Sequence, residues 1–249
     1  MATQAFKTYY INYTTNLFRQ LSTSAVFERV NANRQGANLS DTADGLISLV
    51  RTTTVCETPN QRFTDLHRMI ATDILRLLGM PDLVLNNALL ELYTSRYCRM
   101  GYHSDLAMDL ADESMICVFS CYSNPNTRDV RTLRVMNKTT SVVTDIRMEH
   151  NSVIAFSTQT NCEYQHQIIL ERPCTNDQWL GITFRQAKTH IKFEDNIPIL
   201  HPSGQPLTLA TDAQRREFFR NRRLENTMVG HTYPDWTFTI SPGDLMPVV

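Results

Sequence analysis

His103, Ser104 and Asp105 form an H-x-D triplet beside a strand-like run. In an extended chain, side chains two positions apart point to the same face. One imidazole and one carboxylate can therefore converge on a single point. His166 follows in EYQHQI, on a second strand signal. Two histidines and one carboxylate on a double-sheet framework are the donor set of a non-haem Fe(II) oxygenase, and that set leaves coordination positions open. Arg185, in ITFRQA, lies on a further strand and offers a fork for a carboxylate. The triplet alone is a weak signal, because the chain holds seven His. The order of triplet, distal His and strand Arg is more specific.

The elements that must position these residues are mainly short strands. Alternating and β-branched runs predict strands at 89–93, 114–121, 132–137, 145–147, 152–157, 167–170 and 179–187. Seven short strands without intervening helices indicate a sandwich or barrel rather than a doubly wound sheet. Upstream, apolar spacing predicts an amphipathic helix over 63–78, stopped by Gly79 and Pro81. A helix is also expected over 14–29, a loop over 31–44 and a strand over 45–56. Beyond Phe193 the chain turns Pro-rich and then yields one basic helix over 212–226. The expected organisation is an N-terminal extension (1–44), a central domain (45–192) and a C-terminal extension (193–249).

Composition narrows the function classes. The 249 residues are 42% hydrophobic, enough for one sizeable core. Lys and Arg number 24 against 25 Asp and Glu, a net charge of -1 that excludes a histone-like polycation. A local basic groove for nucleic acid stays compatible with that balance. Mean hydropathy is -0.30. No run approaches the roughly 18 apolar residues of a membrane span, and the first residues lack the apolar core of a secretory signal. Cys56, Cys98, Cys117, Cys121, Cys162 and Cys174 form no C-x-x-C pair. They read as reduced, mostly buried thiols of a cytoplasmic or nuclear protein. Residues 215–223 carry five Arg with Phe218 and Phe219 between them. That run fits a nucleic-acid stripe or an amphipathic helix docking its Phe pair on the core.

Over residues 83–192 the chain resembles the AlkB family of Fe(II)- and 2-oxoglutarate-dependent dioxygenases. LLELYTSRYCRMGYHSD is similar to that family's opening motif, with Tyr93 ten residues before the metal His and Met100-Gly101 just ahead of it. MEHNSVIAFS resembles the strand that precedes the distal His, and LGITFRQA resembles the closing strand. Residues 45–78 resemble, more loosely, the substrate-lid region and its supporting helix. The resemblance implies a mainly β α+β fold, a double-stranded β-helix (jelly roll) core with an N-terminal helical and lid region and a C-terminal extension. It implies Fe(II) held by His103, Asp105 and His166, with Arg185 and Tyr93 contacting 2-oxoglutarate. The implied chemistry is oxidative decarboxylation of 2-oxoglutarate to succinate, coupled to hydroxylation of a substrate C–H bond. On an N-alkylated base the hydroxylated carbon then leaves as an aldehyde, so nucleic acid is the implied partner.

Two positions depart from the family pattern. Trp179 stands where a first closing-strand Arg pairs with the far carboxylate of 2-oxoglutarate. Glu91 replaces an Asn two residues before Tyr93, and a carboxylate there repels the cosubstrate unless paired. Arg172 and Lys188 are the cations expected to compensate. The competing expectation is an AlkB-like fold that has lost catalysis and serves as a structural, binding or self-assembling protein. A third is an oxygenase with a different cosubstrate.

Overall fold

Residues 179–185 alternate between two surroundings. Leu180, Ile182 and Phe184 enter one apolar cluster, together with Leu90, Cys117, Phe119 and Val153. Trp179 enters a second cluster with Tyr93, Val118, Leu133 and Phe156, and Thr183 and Arg185 line a cavity on that same side. Period-2 alternation with both faces buried marks a central strand between two packed layers.

The computed structural model describes residues 5–249. In chain order the strands are β1 (Lys7–Tyr10), β2 (Glu28–Asn31), β3 (Arg34–Ser40), β4 (Thr42–Ala43), β5 (Leu46–Leu49), β6 (Gln61–Arg62), β7 (Asn87–Tyr93), β8 (Met115–Tyr122), β9 (Arg131–Asn137), β10 (Val143–Met148), β11 (Ser152–Ser157), β12 (Tyr164–Ile169), β13 (Trp179–Arg185), β14 (Thr189–Glu194), β15 (Ile197–His201), β16 (Thr208–Leu209) and β17 (Phe238–Thr239). The helices are α1 (Phe18–Leu21), α2 (Asp65–Leu78), α3 (Thr158–Glu163) and α4 (Asp212–Thr227), with a 3-10 turn at Pro242–Leu245.

The major sheet runs β1-β11-β8-β13-β7-β3-β2, with β6 added on β3. One face packs on α2 through Ile70 and Ile74. The other faces the minor sheet β10-β9-β12, whose Leu133, Val135 and Ile168 share a cluster with Tyr93 and Trp179. The result is a mainly antiparallel, jelly-roll-like arrangement of two facing sheets. A third sheet, β15-β14-β5-β4, has its own small core around Leu49 and Ile191. No helix among the described residues is long and apolar enough to cross a membrane.

All seven strands expected between 89 and 187 form, as do the two long helices. Helix α2 starts after Thr64 in a capping box and ends at Gly79, whose φ of 67° suits a residue without Cβ. The N-terminal region is not helical as expected. Only one turn, α1, forms within 14–29, because Ser22, Thr23 and Ser24 donate their hydroxyls to carbonyls of Arg19, Gln20 and Leu21. The expected loop at 31–44 holds β3, which pairs with β7 along its whole length. The expected strand at 45–56 shrinks to β5, since Arg51 turns inward to pair with Asp109 at 2.7 Å. The Pro-rich segment after Phe193 adds β15 to the third sheet.

Candidate metal centre

The two histidines of the triad face each other across a single antiparallel bridge. His103 donates its backbone N–H to His166 O at 2.9 Å, and His166 returns the bond to His103 O at 2.6 Å. Their rings lie 4.5 Å apart between centroids. Asp105, two residues on, reaches the same point. The ligand atoms of His103, Asp105 and His166 all lie within 4.8 Å of one another. Asp105 Oδ1 is 3.5 Å from His166 Nε2 and 4.0 Å from His103 Nε2.

The two oxygens of Asp105 have separate partners. Oδ2 accepts from Arg185 Nε at 2.8 Å and Nη2 at 2.6 Å. Oδ1 is left facing the two imidazoles. Burial alone would raise the Asp105 carboxyl, but Arg185 and His166 hold it well below the usual range. It is therefore an anion at neutral pH. His103 is pushed down to about 3, first by burial and then by the neighbouring His166, so it is neutral. Its Nδ1 lies 2.9 Å from Gly101 O. A carbonyl only accepts, so Nδ1 carries the proton and Nε2 presents a lone pair toward Asp105.

These features fit a divalent transition metal. Two imidazole nitrogens and one carboxylate oxygen stand on one side of a point, the facial arrangement that suits Fe(II). Ligands on adjacent positions of an ion bonded at about 2.1 Å stand about 3 Å apart, so the three atoms, 3.5 to at most 4.8 Å apart, would draw together on binding one. The carbonyl behind His103 and the guanidinium behind Asp105 match the outer-shell partners that orient ligands in metal sites.

The loop carrying the triplet is clamped from two sides. Asn161, in α3, accepts from Asp105 N at 2.7 Å and donates to Asp105 O at 2.8 Å. From α4, Asn226 Oδ1 accepts from Ser104 N at 2.9 Å, Glu225 Oε1 accepts from Ala107 N at 2.8 Å, and Arg222 donates to Ser104 O. Ser104 itself donates to Tyr164 O on β12. The C-terminal extension is thus part of the site's scaffold. Phe218 of α4 is buried with Leu106 and Trp236, while Phe219 stays 41% exposed, so the Phe pair splits between core and surface.

A cavity of about 90 Å³ opens beside the triad. Arg185 lines it, and its Nη1 is buried without a hydrogen-bond partner. Tyr93 stands one layer back. It is fully buried, and its hydroxyl donates to Glu91 Oε1 at 2.9 Å. The same Glu91 oxygen accepts from Arg34 Nε at 2.8 Å and lies 2.6 Å from Arg34 Nη2. Glu91 is therefore paired, by a cation that sequence reasoning did not single out. Arg172 and Lys188, the cations expected to compensate, are exposed, and Lys188 pairs with Asp112 at 3.4 Å. Trp179 is buried between Tyr93 and Arg131, whose guanidinium lies 5.7 Å from the indole centre. The six Cys are all unpaired: Cys117 and Cys121 are buried, Cys174 is exposed and the others are half-buried.

No family model matches the sequence, and no curated protein matches it. Among solved structures, OsALKBH1 superposes with a TM-score of 0.53 at 13% identity, covering 73% of this chain and 98% of that chain. This chain has the OsALKBH1 fold. A Pseudomonas putida prolyl-4-hydroxylase aligns with a TM-score of 0.45 at 16% identity, over 74% of this chain and 94% of that one, a likeness too slight to build on. Against the OsALKBH1-like framework, the residues missed in the sequence are Arg34, Asn161, Arg222 and Asn226. Each acts through a contact 56 or more residues away in the chain. No local motif announces such contacts.

Proposed function

We propose that this protein is a mononuclear non-haem Fe(II) oxygenase of the AlkB type, built on a double-stranded β-helix. In this reading a 2-oxo acid, 2-oxoglutarate in the family it resembles, serves as cosubstrate. The substrate is an N-alkylated nucleobase or a related methylated group. The observation that carries the reading is the convergence of His103, Asp105 and His166 on one point beside a cavity lined by Arg185. An Fe(II) ion held there would supply oxidation of a substrate C–H bond by dioxygen, with the 2-oxo acid as the second reductant. The chain's own residues do the rest. His103 Nε2, His166 Nε2 and Asp105 Oδ1 hold the ion. Arg185 keeps Asp105 ionised and offers Nη1 to an acidic cosubstrate. Leu89, Val118 and Leu133 form the apolar part of the cavity wall.

Nucleic acid is the partner class favoured by α4. Its outer face presents Arg216, Phe219, Arg220 and Arg223, all exposed, around a shallow surface pocket. Cations flanking an exposed ring suit phosphates and a stacked base. The unpaired thiols accord with a reducing compartment, cytoplasm or nucleus.

The test is metal titration of the purified full chain, followed by electron paramagnetic resonance of Mn(II). One ion per chain is expected, and Asp105→Ala should abolish it. Absence of binding in the wild type would sink the metal centre and the oxygenase reading together. A second reading rests on Glu91, whose carboxylate already satisfies Arg34 and Tyr93. It is an AlkB-like fold kept as a structural, binding or self-assembling protein. Metal binding without turnover of any 2-oxo acid would favour it.

A further inference from the structure

We infer that the cavity beside the triad takes a short 2-oxo acid with a single carboxylate and an uncharged tail, and discriminates against dicarboxylates. The inference rests on the metal-centre reading above and names the cosubstrate class of that site. Four arginines line the cavity; Arg51 is paired with Asp109 and Arg222 with Glu225, which leaves Arg185 and Arg34 to decide the charge of the ligand. Arg185 has one nitrogen free: Nε and Nη2 hold Asp105, while Nη1 is buried and unpartnered. Arg185 is itself 94% buried, being 6% exposed. An unpaired buried donor of this kind is costly unless a ligand meets it. Arg34 also lines the cavity, but it is not free. Glu91 Oε1 holds it at 2.6 Å and takes the Tyr93 hydroxyl as well.

Glu91 thus occupies, from within the protein, the place a second ligand carboxylate would need. A dicarboxylate reaching from Arg185 toward Arg34 would find that guanidinium already held by Glu91, with no free cation left for its second carboxylate. The register makes this position permanent. Glu91 sits between Gly36 on β3 and Gly181 on β13, neither of which supplies a side chain to displace it. Trp179 closes the end of the same row beside Tyr93. Between Arg185 and this pair the wall is uncharged: Leu89, Val118, Leu133 and Ile168 are apolar, and Thr183 adds one hydroxyl. Its volume of about 90 Å³ is below the roughly 150 Å³ of an engineered cavity that admits benzene. A one-carbon or two-carbon tail fits that wall and that size. The keto oxygen and carboxylate of such an acid can chelate an ion at its open positions, with the carboxylate also accepting from Arg185 Nη1.

The experiment uses the full chain loaded with Mn(II), with loading checked first by electron paramagnetic resonance. Pyruvate, 2-oxobutyrate and 2-oxoglutarate are then titrated by calorimetry, with the change in water proton relaxation as a second readout. We expect the two monocarboxylates to bind at least tenfold more tightly than 2-oxoglutarate, since a charge-assisted hydrogen bond that goes unmade is worth about tenfold or more. Glu91→Gln removes the blocking charge, and it should raise 2-oxoglutarate affinity about tenfold while moving pyruvate less than about threefold. If that variant does not fold, the wild-type comparison decides alone. Equal or tighter binding of 2-oxoglutarate by the Mn(II)-loaded wild type overturns the inference. So does Mn(II) loading with no affinity for either monocarboxylate, and in both cases the metal centre stands. Failure to load Mn(II) overturns the metal centre and this inference with it.

Discussion

The far edge of the Trp179 indole lies against Gly181, two residues further along β13. A methyl group built on Gly181 would collide with three carbons of the six-membered ring. On the strand's inner face, side chains at 179, 181, 183 and 185 follow one another. The missing side chain at 181 therefore leaves the space that the indole fills. Trp179 is held there on both sides, by Tyr93 at 4.8 Å between ring centres and by the Arg131 guanidinium.

Gly181→Ala should destabilise the protein by ~1–3 kcal/mol, the usual cost of overpacking a core. The indole is 2% exposed and rigid, so it cannot swing away cheaply. For a chain of this size each kcal/mol lowers Tm by roughly 2–4 °C. Adding Trp179→Leu to Gly181→Ala should recover part of the loss relative to the sum of the single variants. Circular dichroism melts of the four proteins give that coupling. Additive losses would show that the ring does not lie where the structure places it.

Asp105→Asn tests the division of the carboxylate between Arg185 and the imidazoles. An amide keeps the shape but loses the charge, leaving a buried guanidinium without its counter-ion. Removing one partner of a buried pair typically costs about 3–5 kcal/mol, and the 10% exposure of the Asp105 side chain places this case near the lower end. Mn(II) affinity should fall in the same variant. Arg185→Gln should also weaken Mn(II) binding, though less, because it misorients Asp105 without removing a ligand atom. Urea unfolding and Mn(II) titration of the two variants separate the roles. Equal metal affinity in Arg185→Gln and wild type would remove Arg185 from the support of the site.

His67 sets a pH dependence remote from the His103, Asp105 and His166 triad. It is buried in the first turn of α2, where Nδ1 accepts from Thr64 N at 3.0 Å. Ser24 Oγ donates to Leu21 O, so it accepts from His67 Nε2–H at 2.9 Å. Protonating Nδ1 breaks the Thr64 bond. Burial first, and then Arg68, push His67 down to about 4 from 6.5. The folded value lies below the unfolded one, so the unfolded chain takes up the proton first. The stabilisation is complete above pH 6.5 and is lost as pH falls toward 4, by about 3 kcal/mol at most. His67→Gln should lose stability at pH 7 but show a flatter profile from pH 7 to 4.5. Denaturant unfolding of both proteins across that range makes the comparison, and parallel profiles would rule the residue out.

The donor set and the sheet were legible because each has a short-range signature. H-x-D needs only an extended chain to align its two side chains, and the runs ending in Tyr93 and Arg185 alternate at period 2. Arg34 had no such signature. It lies in NANRQGANLS, a polar stretch that becomes β3 only because β7 offers an edge to pair with. The N-terminal helix expected over 14–29 had the right apolar spacing, but the run of hydroxyls at 22–24 competed for its carbonyls. The role of α4 was invisible for a third reason. Its basic composition describes its outer face, whereas its contribution to the site comes from Arg222, Glu225 and Asn226, which point inward to backbone atoms 118 to 122 residues away.

That inward face yields the last prediction. Asn226 Oδ1 accepts from Ser104 N, and the Asn226 carbonyl accepts from Gln165 Nε2 at 2.7 Å. Helix α4 therefore ties the residue between His103 and Asp105 to the residue before His166. Asn226→Ala removes the first tie and leaves the second, because the carbonyl belongs to the backbone. The lost bond is neutral and part-buried, so the change in global stability should be about 1 kcal/mol. The effect on the site should be larger in proportion, since outer-shell partners commonly govern metal affinity by 10- to 100-fold. Mn(II) affinity is expected to fall about tenfold while Tm moves by only a few degrees. Asn226→Asp restores an acceptor for Ser104 N–H and should recover most of the metal affinity. An unchanged Mn(II) affinity in Asn226→Ala, in a protein that melts like the wild type, would show that α4 supports the fold alone and leaves the triad to position itself.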